Sequence, residues 1–253
     1  MAVLAASAAL SSAASGMLPG ISSGDSVPAN AHANCDPFEL PHGRGRVTTR
    51  MPGAALRSQL AVLRRPQAPG DRLRRDQLTG VRESGFFRTI AAGSVRLLAN
   101  SSADEHIYLV PGNLAPVRLR KRCLRALSRR ERRRALRIER SDRRLARHIT
   151  LFVANFGLRG SGLVGGIDAG GLRQNLGEFG FGDEHHMTLG ALVPDDVASV
   201  EVRFEHGKRT RTATVSNNVW TMLLHEHAPA ALDVVSMTWR RADGSTIKRF
   251  SGP

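Results

Sequence analysis

The middle of the chain reads RLRKRCLRALSRRERRRALRIERSDRRLAR over residues 118–147. Fourteen of these residues are arginine, one is lysine and three are acidic, so the segment carries a net charge of +12. Ser128 and Glu131 stand three residues apart, which is the spacing of a capping box at the start of a helix. The stretch therefore predicts one long basic helix over residues 118–147.

The predicted helix has an apolar stripe and an arginine face. At about 100° per residue, the apolar side chains fall within a stripe about 100° wide. They are Leu124, Leu127, Ala135, Ile138, Leu145 and Ala146. Arginines cover the opposite side, and the candidate anion-binding residues are Arg129, Arg130, Arg133, Arg134, Arg137, Arg140 and Arg144. We expect the helix to dock on the body of the protein with its arginine face outward.

Arginines four residues apart on this face, such as Arg129 and Arg133, repel each other. Each such pair destabilises the helix by about 0.2–0.5 kcal/mol. A bound polyanion would relieve that repulsion through counterion release. Nucleic acid, acidic lipid headgroups and anionic cell-wall polymers have the required chemistry, and a solvated face screened by salt is the alternative. No aromatic residues interleave with the arginines, which disfavours a specific nucleic-acid module.

The charge of the whole chain is +15, and most of it lies in residues 118–147. Outside that segment, 22 basic residues stand against 19 acidic ones, a difference of +3. The body of the protein is therefore nearly neutral. Its basic character is a property of one element and not of the whole surface.

Residues 36–156 are predicted to form a mixed region of helices and strands that includes the basic helix. Ala54–Leu63 places leucines at helical spacing. Ser94–Leu98 and Ile107–Val110 are typical of two strands joined as a hairpin. The apolar run Ile149–Phe156 predicts a buried strand.

Ten glycines occur between residues 157 and 182. This density favours flexible chain over regular structure, so residues 157–186 are predicted to be a linker or loop. Gly160, Gly162 and Gly165 match the spacing of a dinucleotide-binding loop, but such a loop must open directly into a helix. The many glycines that follow disfavour a helix, so we prefer the flexible loop to dinucleotide binding.

Residues 187–253 are predicted to form an antiparallel β unit. Val200, Val202 and Phe204 alternate with polar residues, the pattern of a strand with one buried face. Four further strand-like runs follow, and Asp243-Gly244 has the composition of a tight hairpin turn. The whole chain thus predicts an α+β fold: N-terminal helices and a β-hairpin, one long arginine-rich amphipathic helix, and a small C-terminal antiparallel sheet or sandwich.

Residues 1–35 have the composition of an export signal or of a disordered tail. Met1–Met17 is rich in alanine and serine, and Ala31-His32-Ala33 fits the small-x-small pattern of a signal-peptide cleavage site. No lysine or arginine precedes Arg44, so the cationic start of a signal peptide is missing. We expect a secreted or envelope location, with a cytoplasmic location as the alternative.

The chain has two cysteines, Cys35 and Cys123. In an exported protein, a disulfide between them would close a long loop and contribute about 4 kcal/mol to stability. In a cytoplasmic protein they would be two unrelated thiols. The disulfide is therefore predicted on the condition of export.

Histidines cluster at residues 185–186 and 225–227. Because residues i and i+2 of a strand share a face, His225 and His227 could bind one zinc ion. Glu184, His185 or His186 could supply the third ligand, and His185 is the candidate that we name. A zinc site would support a metal-dependent hydrolase. A polar loop is the alternative, since no metal-binding signature is present and neither a nucleophile motif nor another cofactor is indicated.

Four segments read AVLRRPQ over residues 61–67, VPDDVASV over 193–200, NNVW over 217–220 and WRRADG over 239–244. In these segments the chain resembles a group of uncharacterised actinobacterial hypothetical proteins. The resemblance extends over most of the chain after Cys35. The resemblance implies an actinobacterial source and export. It supplies no catalytic residue.

The sequence favours a non-enzymatic exported or envelope-associated protein whose arginine-rich helix contacts anionic cell-envelope polymers or lipid headgroups. A metal-dependent hydrolase that uses the histidine clusters is one alternative, and a nucleic-acid-binding protein is another. No apolar run approaches the length of about 18 residues that a membrane span requires, so no transmembrane helix is predicted.

Overall fold

The computed structural model describes residues 38–39, 43–102, 105–116, 118–157, 160–175, 177–182, 187–204, 209–224 and 234–251. Within these residues, helices and strands are mixed along the chain and the strands form several small sheets. The predicted α+β class is confirmed at this level.

The described residues form six α-helices and fifteen strands. The helices are α1 (Ala54–Arg57), α2 (Ala61–Arg64), α3 (Arg75–Glu83), α4 (Lys121–Ala126), α5 (Arg129–Leu145) and α6 (Ala169–Arg173). The strands are β1 (Phe38–Glu39), β2 (Arg46–Val47), β3 (Phe87–Ile90), β4 (Arg96–Ser102), β5 (Glu105–Leu114), β6 (Arg118–Leu119), β7 (Thr150–Gly157), β8 (Gly160–Ile167), β9 (Glu178–Gly182), β10 (Met187–Leu192), β11 (Ser199–Phe204), β12 (Thr210–Thr214), β13 (Val219–Leu224), β14 (Val234–Arg240) and β15 (Thr246–Ser251).

Strand β5 is the centre of a six-stranded sheet. It pairs with β7 along one side and with β4 and β3 along the other, all antiparallel. β8 extends the sheet beyond β7, and β2 extends it beyond β3. The β4–β5 pair corresponds to the hairpin that the sequence predicts. Tyr108 and Val110 of β5 pack with α3 on one face of the sheet, while Ile107 and Leu109 face a second sheet.

Two smaller antiparallel sheets complete a stack of three layers with the large one. The three-stranded sheet has the order β13-β10-β9, and the four-stranded sheet has the order β12-β11-β14-β15. Leu192 and Val219 of the three-stranded sheet share a core cluster with Leu109 of the large sheet. Trp220 of the three-stranded sheet shares another cluster with Val202 of the four-stranded sheet. The three-stranded sheet is therefore the middle layer, covered on both faces.

One core joins the two regions that the sequence treats as separate units, 36–156 and 187–253. Leu60 directly precedes α2, and Leu63 lies within it. Both are buried in the same cluster as Val219 of β13. The backbone N–H of Val62 donates to Oδ1 of Asn218 at 2.9 Å. The division at residue 187 is therefore not a boundary between independent cores.

The glycine-rich tract is not the loop over 157–186 that its composition predicts. Its described residues form β8, α6 and β9, and β8 pairs with β7 over its length. A Cβ atom at Gly165 would lie 2.5 Å from Cα of Phe152, and one at Gly162 would lie 2.6 Å from the ring of Phe181. Glycine is needed there because neighbouring groups pack directly on the strand backbone.

A short helix follows β8, although the glycines disfavour one. Asp168 is its N-cap, and its Oδ1 accepts a hydrogen bond from the backbone N–H of Gly171 at 2.7 Å. The cap satisfies a backbone group that would otherwise lack a partner at the helix start. The glycine spacing at 160, 162 and 165 lies within β8, so it is not a strand-to-helix phosphate loop.

The basic segment is two helices and not the single helix predicted over 118–147. Residues 118–119 form β6, α4 follows, and α5 begins only at Arg129. Leu127 has ψ 143°, an extended conformation that ends α4 before Ser128. The capping signal in the sequence marks the start of α5, and the residues before it belong to a separate turn of helix.

Candidate functional site

The start of α5 is fixed by a reciprocal capping box. The backbone N–H of Ser128 donates to Oε2 of Glu131 at 2.8 Å, and the backbone N–H of Glu131 donates to Oγ of Ser128 at 3.3 Å. The box satisfies two backbone donors that a helix start leaves without partners. The predicted capping box is confirmed, and it sets where the arginine face begins.

Helix α5 docks through small side chains near its middle and just beyond its end. Ala135 is 1% exposed and Ala146 is 9% exposed. Nδ2 of Asn113, on β5, donates to the carbonyl oxygen of Ala146 at 3.4 Å. Ile138 and Leu136 are half-buried beside Ala135. The apolar stripe therefore holds α5 on the body of the protein, as the sequence predicts.

The chain before α5 is tied to the segment that begins the described structure. β1 pairs with β6, and the Arg120 guanidinium lies 3.7 Å from the Glu39 carboxylate. Cys123, on α4, is 1% exposed and is disulfide-bonded. Cys35 lies outside the described residues, so the Cys35–Cys123 pair stays a prediction. These contacts hold the base of the basic segment in place.

The arginine face of α5 is defined by the seven predicted anion-binding residues. Six of them are exposed: Arg129, Arg130, Arg133, Arg137, Arg140 and Arg144. Arg134 is half-buried and takes part in an interaction within the protein, so it contributes less to the outer surface. The structure therefore places six of the seven guanidinium groups where a partner could reach them.

The exposed arginines are only partly neutralised by the helix itself. Arg143 pairs with Glu139 at 2.8 Å, and the Glu139 side chain is just 14% exposed. Nε of Arg133 donates to the carbonyl oxygen of Arg129 at 3.4 Å. The side chains of Arg129, Arg130, Arg137, Arg140 and Arg144 have no hydrogen bond or ion pair with any residue that the structure describes. Within the part of the chain that the structure describes, this face therefore carries several guanidinium groups without a protein partner.

A buried charge network lies elsewhere, and the sequence does not reveal it. Asp71 is 1% exposed and Arg96 is 3% exposed. Both oxygens of Asp71 accept hydrogen bonds from Arg65, and Arg96 donates to the carbonyl oxygens of Val62 and Arg65. Burial lowers the pKa of Arg96. Because these groups are all satisfied within the protein, the network fastens the chain after α2 onto β4 and leaves no donor for a ligand.

Glu178 is a described carboxyl group whose pKa is raised into a range near neutrality. Burial raises the pKa of Glu178 to about 6, against the opposing effect of a hydrogen bond from Nδ2 of Asn175. Asn175 adopts φ 60°, which turns the chain between α6 and β9. A carboxyl of this kind can change charge near neutral pH, but no second titratable group in contact with it makes a catalytic pair among the described residues.

The predicted zinc ligands His185, His225 and His227 lie outside the described residues. The strands next to these histidines in the sequence, β10 and β13, are paired with each other. Met187 at the start of β10 is the partner of Leu224 at the end of β13. Within the described part of the chain, no group of three histidine, cysteine, aspartate or glutamate residues could hold a metal ion. The zinc site stays a prediction from the sequence alone.

The chain matches no family model, no curated protein and no solved structure. Among the helices that the structure describes, none combines the length and the apolar composition needed to cross a membrane. The function is therefore inferred from the geometry of the arginine face.

Proposed function

We propose that this chain is a non-enzymatic exported or envelope-associated protein of an actinobacterium, and that the arginine face of α5 contacts an anionic polymer or lipid headgroup surface. The observation that carries the proposal is the docking of α5. Its apolar side is buried at Ala135, while six candidate arginines on the other side are exposed. A buried inner face and an outer face of one sign are what a surface-binding helix requires.

The energetics favour a bound anion over the bare face. Arg129, Arg133 and Arg137 follow one another at four-residue spacing, as do Arg140 and Arg144. Each such pair costs about 0.2–0.5 kcal/mol at low salt. Phosphates or carboxylates of a partner would replace that repulsion with charge-assisted hydrogen bonds and would release counterions.

The disulfide at Cys123 supports an exported location. Disulfides persist in oxidising compartments and are rare in the reducing cytosol of most organisms. The composition of residues 1–35 and the resemblance to exported actinobacterial proteins point in the same direction. In an envelope setting, the available polyanions are cell-wall polymers and lipid headgroups and not nucleic acid.

The test compares two variants of the full chain that lose the same charge. R129Q/R133Q/R137Q/R140Q removes four guanidinium groups from α5, and glutamine keeps nearly the same helix propensity as arginine. R57Q/R72Q/R75Q/R88Q removes four exposed arginines from the rest of the surface. Binding is measured by co-sedimentation with vesicles of phosphatidylglycerol and phosphatidylcholine, and with teichoic acid immobilised on beads, between 20 and ~300 mM salt.

We expect wild type and the R57Q/R72Q/R75Q/R88Q control to bind at low salt and to dissociate as salt rises. The α5 variant should lose at least tenfold in affinity. Equal loss in both variants would show that only net charge matters, and binding of neither surface by wild type at low salt would remove the proposed role. Tighter binding to duplex DNA than to both envelope probes would favour the nucleic-acid alternative.

A further inference from the structure

A polar cleft of about 440 Å³ lies on the outer face of the four-stranded sheet. All four strands contribute to its lining, which consists of three arginines, one glutamate and four serine or threonine residues. The inner face of the same strands is apolar core, with Val202 and Trp239 buried. The volume is in the range of small-molecule sites, about 300–1,000 Å³, but the lining offers no apolar wall to a hydrophobic ligand.

One side of the cleft is built by an internal ion pair. Nε and Nη2 of Arg240 donate to Oε2 of Glu201 at 3.2 and 2.8 Å, across the β11–β14 pair. Nη1 of Arg240 donates to the carbonyl oxygen of Gly244 at 3.2 Å. Glu201 is therefore neutralised and held in place, and it does not offset the remaining positive charge in the cleft.

The cleft contains two further arginines. Arg203 and Arg249 are exposed, and neither has a hydrogen bond or ion pair with a residue in the described ranges. Arg203 is the register partner of Ser236, and Arg249 is the register partner of Thr238. Both partners lie on β14, so the two arginines flank that strand from opposite sides.

Strand geometry brings the two guanidinium groups within reach of a common ligand. Spacings of about 4.8 Å between strands and about 3.4 Å per residue place the Cα atoms of Arg203 and Arg249 about 12 Å apart. Two extended arginine side chains can span that separation from either side. Between them lie Ser236 and Thr238, which are 7% and 8% exposed and form the floor of the cleft.

We propose that this cleft binds an oxyanion, a phosphate or sulfate group carried by a small hydroxylated molecule such as a sugar. Guanidinium groups donate paired hydrogen bonds to tetrahedral oxyanions, and no partner within the described ranges competes for the donors of Arg203 and Arg249. The hydroxyls of Ser236 and Thr238 supply further hydrogen bonds to the anion or to ligand hydroxyls. The site uses different residues from the arginine face of α5, so it does not depend on the proposed surface contact.

The test is isothermal titration calorimetry of the full chain with glucose 6-phosphate, inorganic phosphate, inorganic sulfate and glucose. We expect saturable binding of glucose 6-phosphate and of at least one inorganic anion, and none of glucose. R203Q/R249Q should weaken the binding of glucose 6-phosphate at least tenfold. R57Q/R72Q removes the same charge from exposed positions outside both the cleft and α5, and it should change this affinity less than twofold. Circular dichroism checks that both variants, altered only at exposed side chains, remain folded.

Three results would overturn the proposal. The first is unchanged binding in R203Q/R249Q. The second is an equal loss in R57Q/R72Q, which would indicate general attraction to a basic protein. The third is binding of glucose as tight as that of glucose 6-phosphate, since the anion would then contribute nothing. Loss of vesicle binding in R133Q/R137Q with intact glucose 6-phosphate binding would separate this site from the arginine face.

Discussion

Replacement of Asp71 by asparagine is expected to destabilise the protein by about 3 kcal/mol. Asp71 is 1% exposed. Its carboxylate accepts two hydrogen bonds from Arg65, at 2.6 and 2.8 Å, and one each from the N–H groups of Ala68 and Leu97, at 2.7 and 2.8 Å. Asparagine has nearly the same volume as aspartate, but its NH₂ group would face N–H donors and could not accept their hydrogen bonds. Removal of one partner of a buried ion pair costs about 3–5 kcal/mol, and the Arg65 side chain is 34% exposed, which favours the lower value.

The same substitution has a defined pH dependence. Burial opposes ionisation, but the hydrogen bonds from Arg65, Ala68 and Leu97 outweigh it, so the pKa of Asp71 is below its usual value. The folded protein therefore binds fewer protons at this site than the unfolded chain does. The stabilisation is complete above the unfolded pKa of about 3.9 and is lost as pH falls through the folded pKa. The difference between wild type and D71N should be constant from about pH 8 to about pH 5 and shrink below about pH 4.

Urea unfolding measures this difference through the fluorescence of Trp220 and Trp239, both buried in the core. The control is D76N, because the Asp76 side chain is 72% exposed and meets Arg74 only at 3.4 Å. An exposed pair of this kind contributes about 0–1 kcal/mol. If D71N is no less stable than D76N, or if its deficit persists unchanged to pH 3, the assigned role of the Asp71 carboxylate is wrong.

Three further predictions concern the start of α5, the packing on β8 and the buried carboxyl group of β9. S128A removes half of the capping box and should lower the free energy of unfolding by about 1 kcal/mol in urea titrations; an unchanged midpoint would contradict the cap. G165A places a Cβ atom 2.5 Å from Cα of Phe152 and should lower the free energy of unfolding by about 1–3 kcal/mol. Its control is G80A in α3, where an added Cβ atom meets no atom within 4 Å, so this variant should be neutral or stabilising. The pKa of Glu178 is raised to about 6 in the folded protein, so the folded state binds a proton there more readily than the unfolded chain does. Wild type should therefore lose about 1–2 kcal/mol of stability as pH rises from about 4.5 to about 6. E178Q should not show that loss; parallel pH profiles of the two proteins would refute the assignment.

Local periodicity explains which parts of the fold the sequence predicts. The alternation of Val200, Val202 and Phe204 describes β11, and those three side chains are buried as the pattern requires. The helical stripe around Ala135 and the capping box at Ser128 lie within one stretch of chain. Such features depend on neighbours within four residues, so they can be read without knowledge of the tertiary structure.

Contacts between distant residues explain what the sequence does not predict. The glycines of β8 indicate flexibility when considered alone, but the side chains packed against them belong to β7 and β9. Asp71 finds its partner N–H in Leu97, 26 residues away. The cleft on the four-stranded sheet combines residues that the register of β11, β14 and β15 brings together. None of these arrangements has a local signal.

The anchoring of the basic segment at both ends has a thermodynamic consequence. β1 and Glu39 hold the chain before α4, Cys123 is cross-linked, and Asn113 holds the carbonyl of Ala146 beyond the end of α5. A disordered basic tail loses conformational entropy when it settles on an anionic surface, whereas a docked helix has already lost that entropy on folding. The seventeen residues of α5 form a rod about 26 Å long, with charges at set positions along it. Association with this rod should therefore favour anions whose own charges recur at a matching interval.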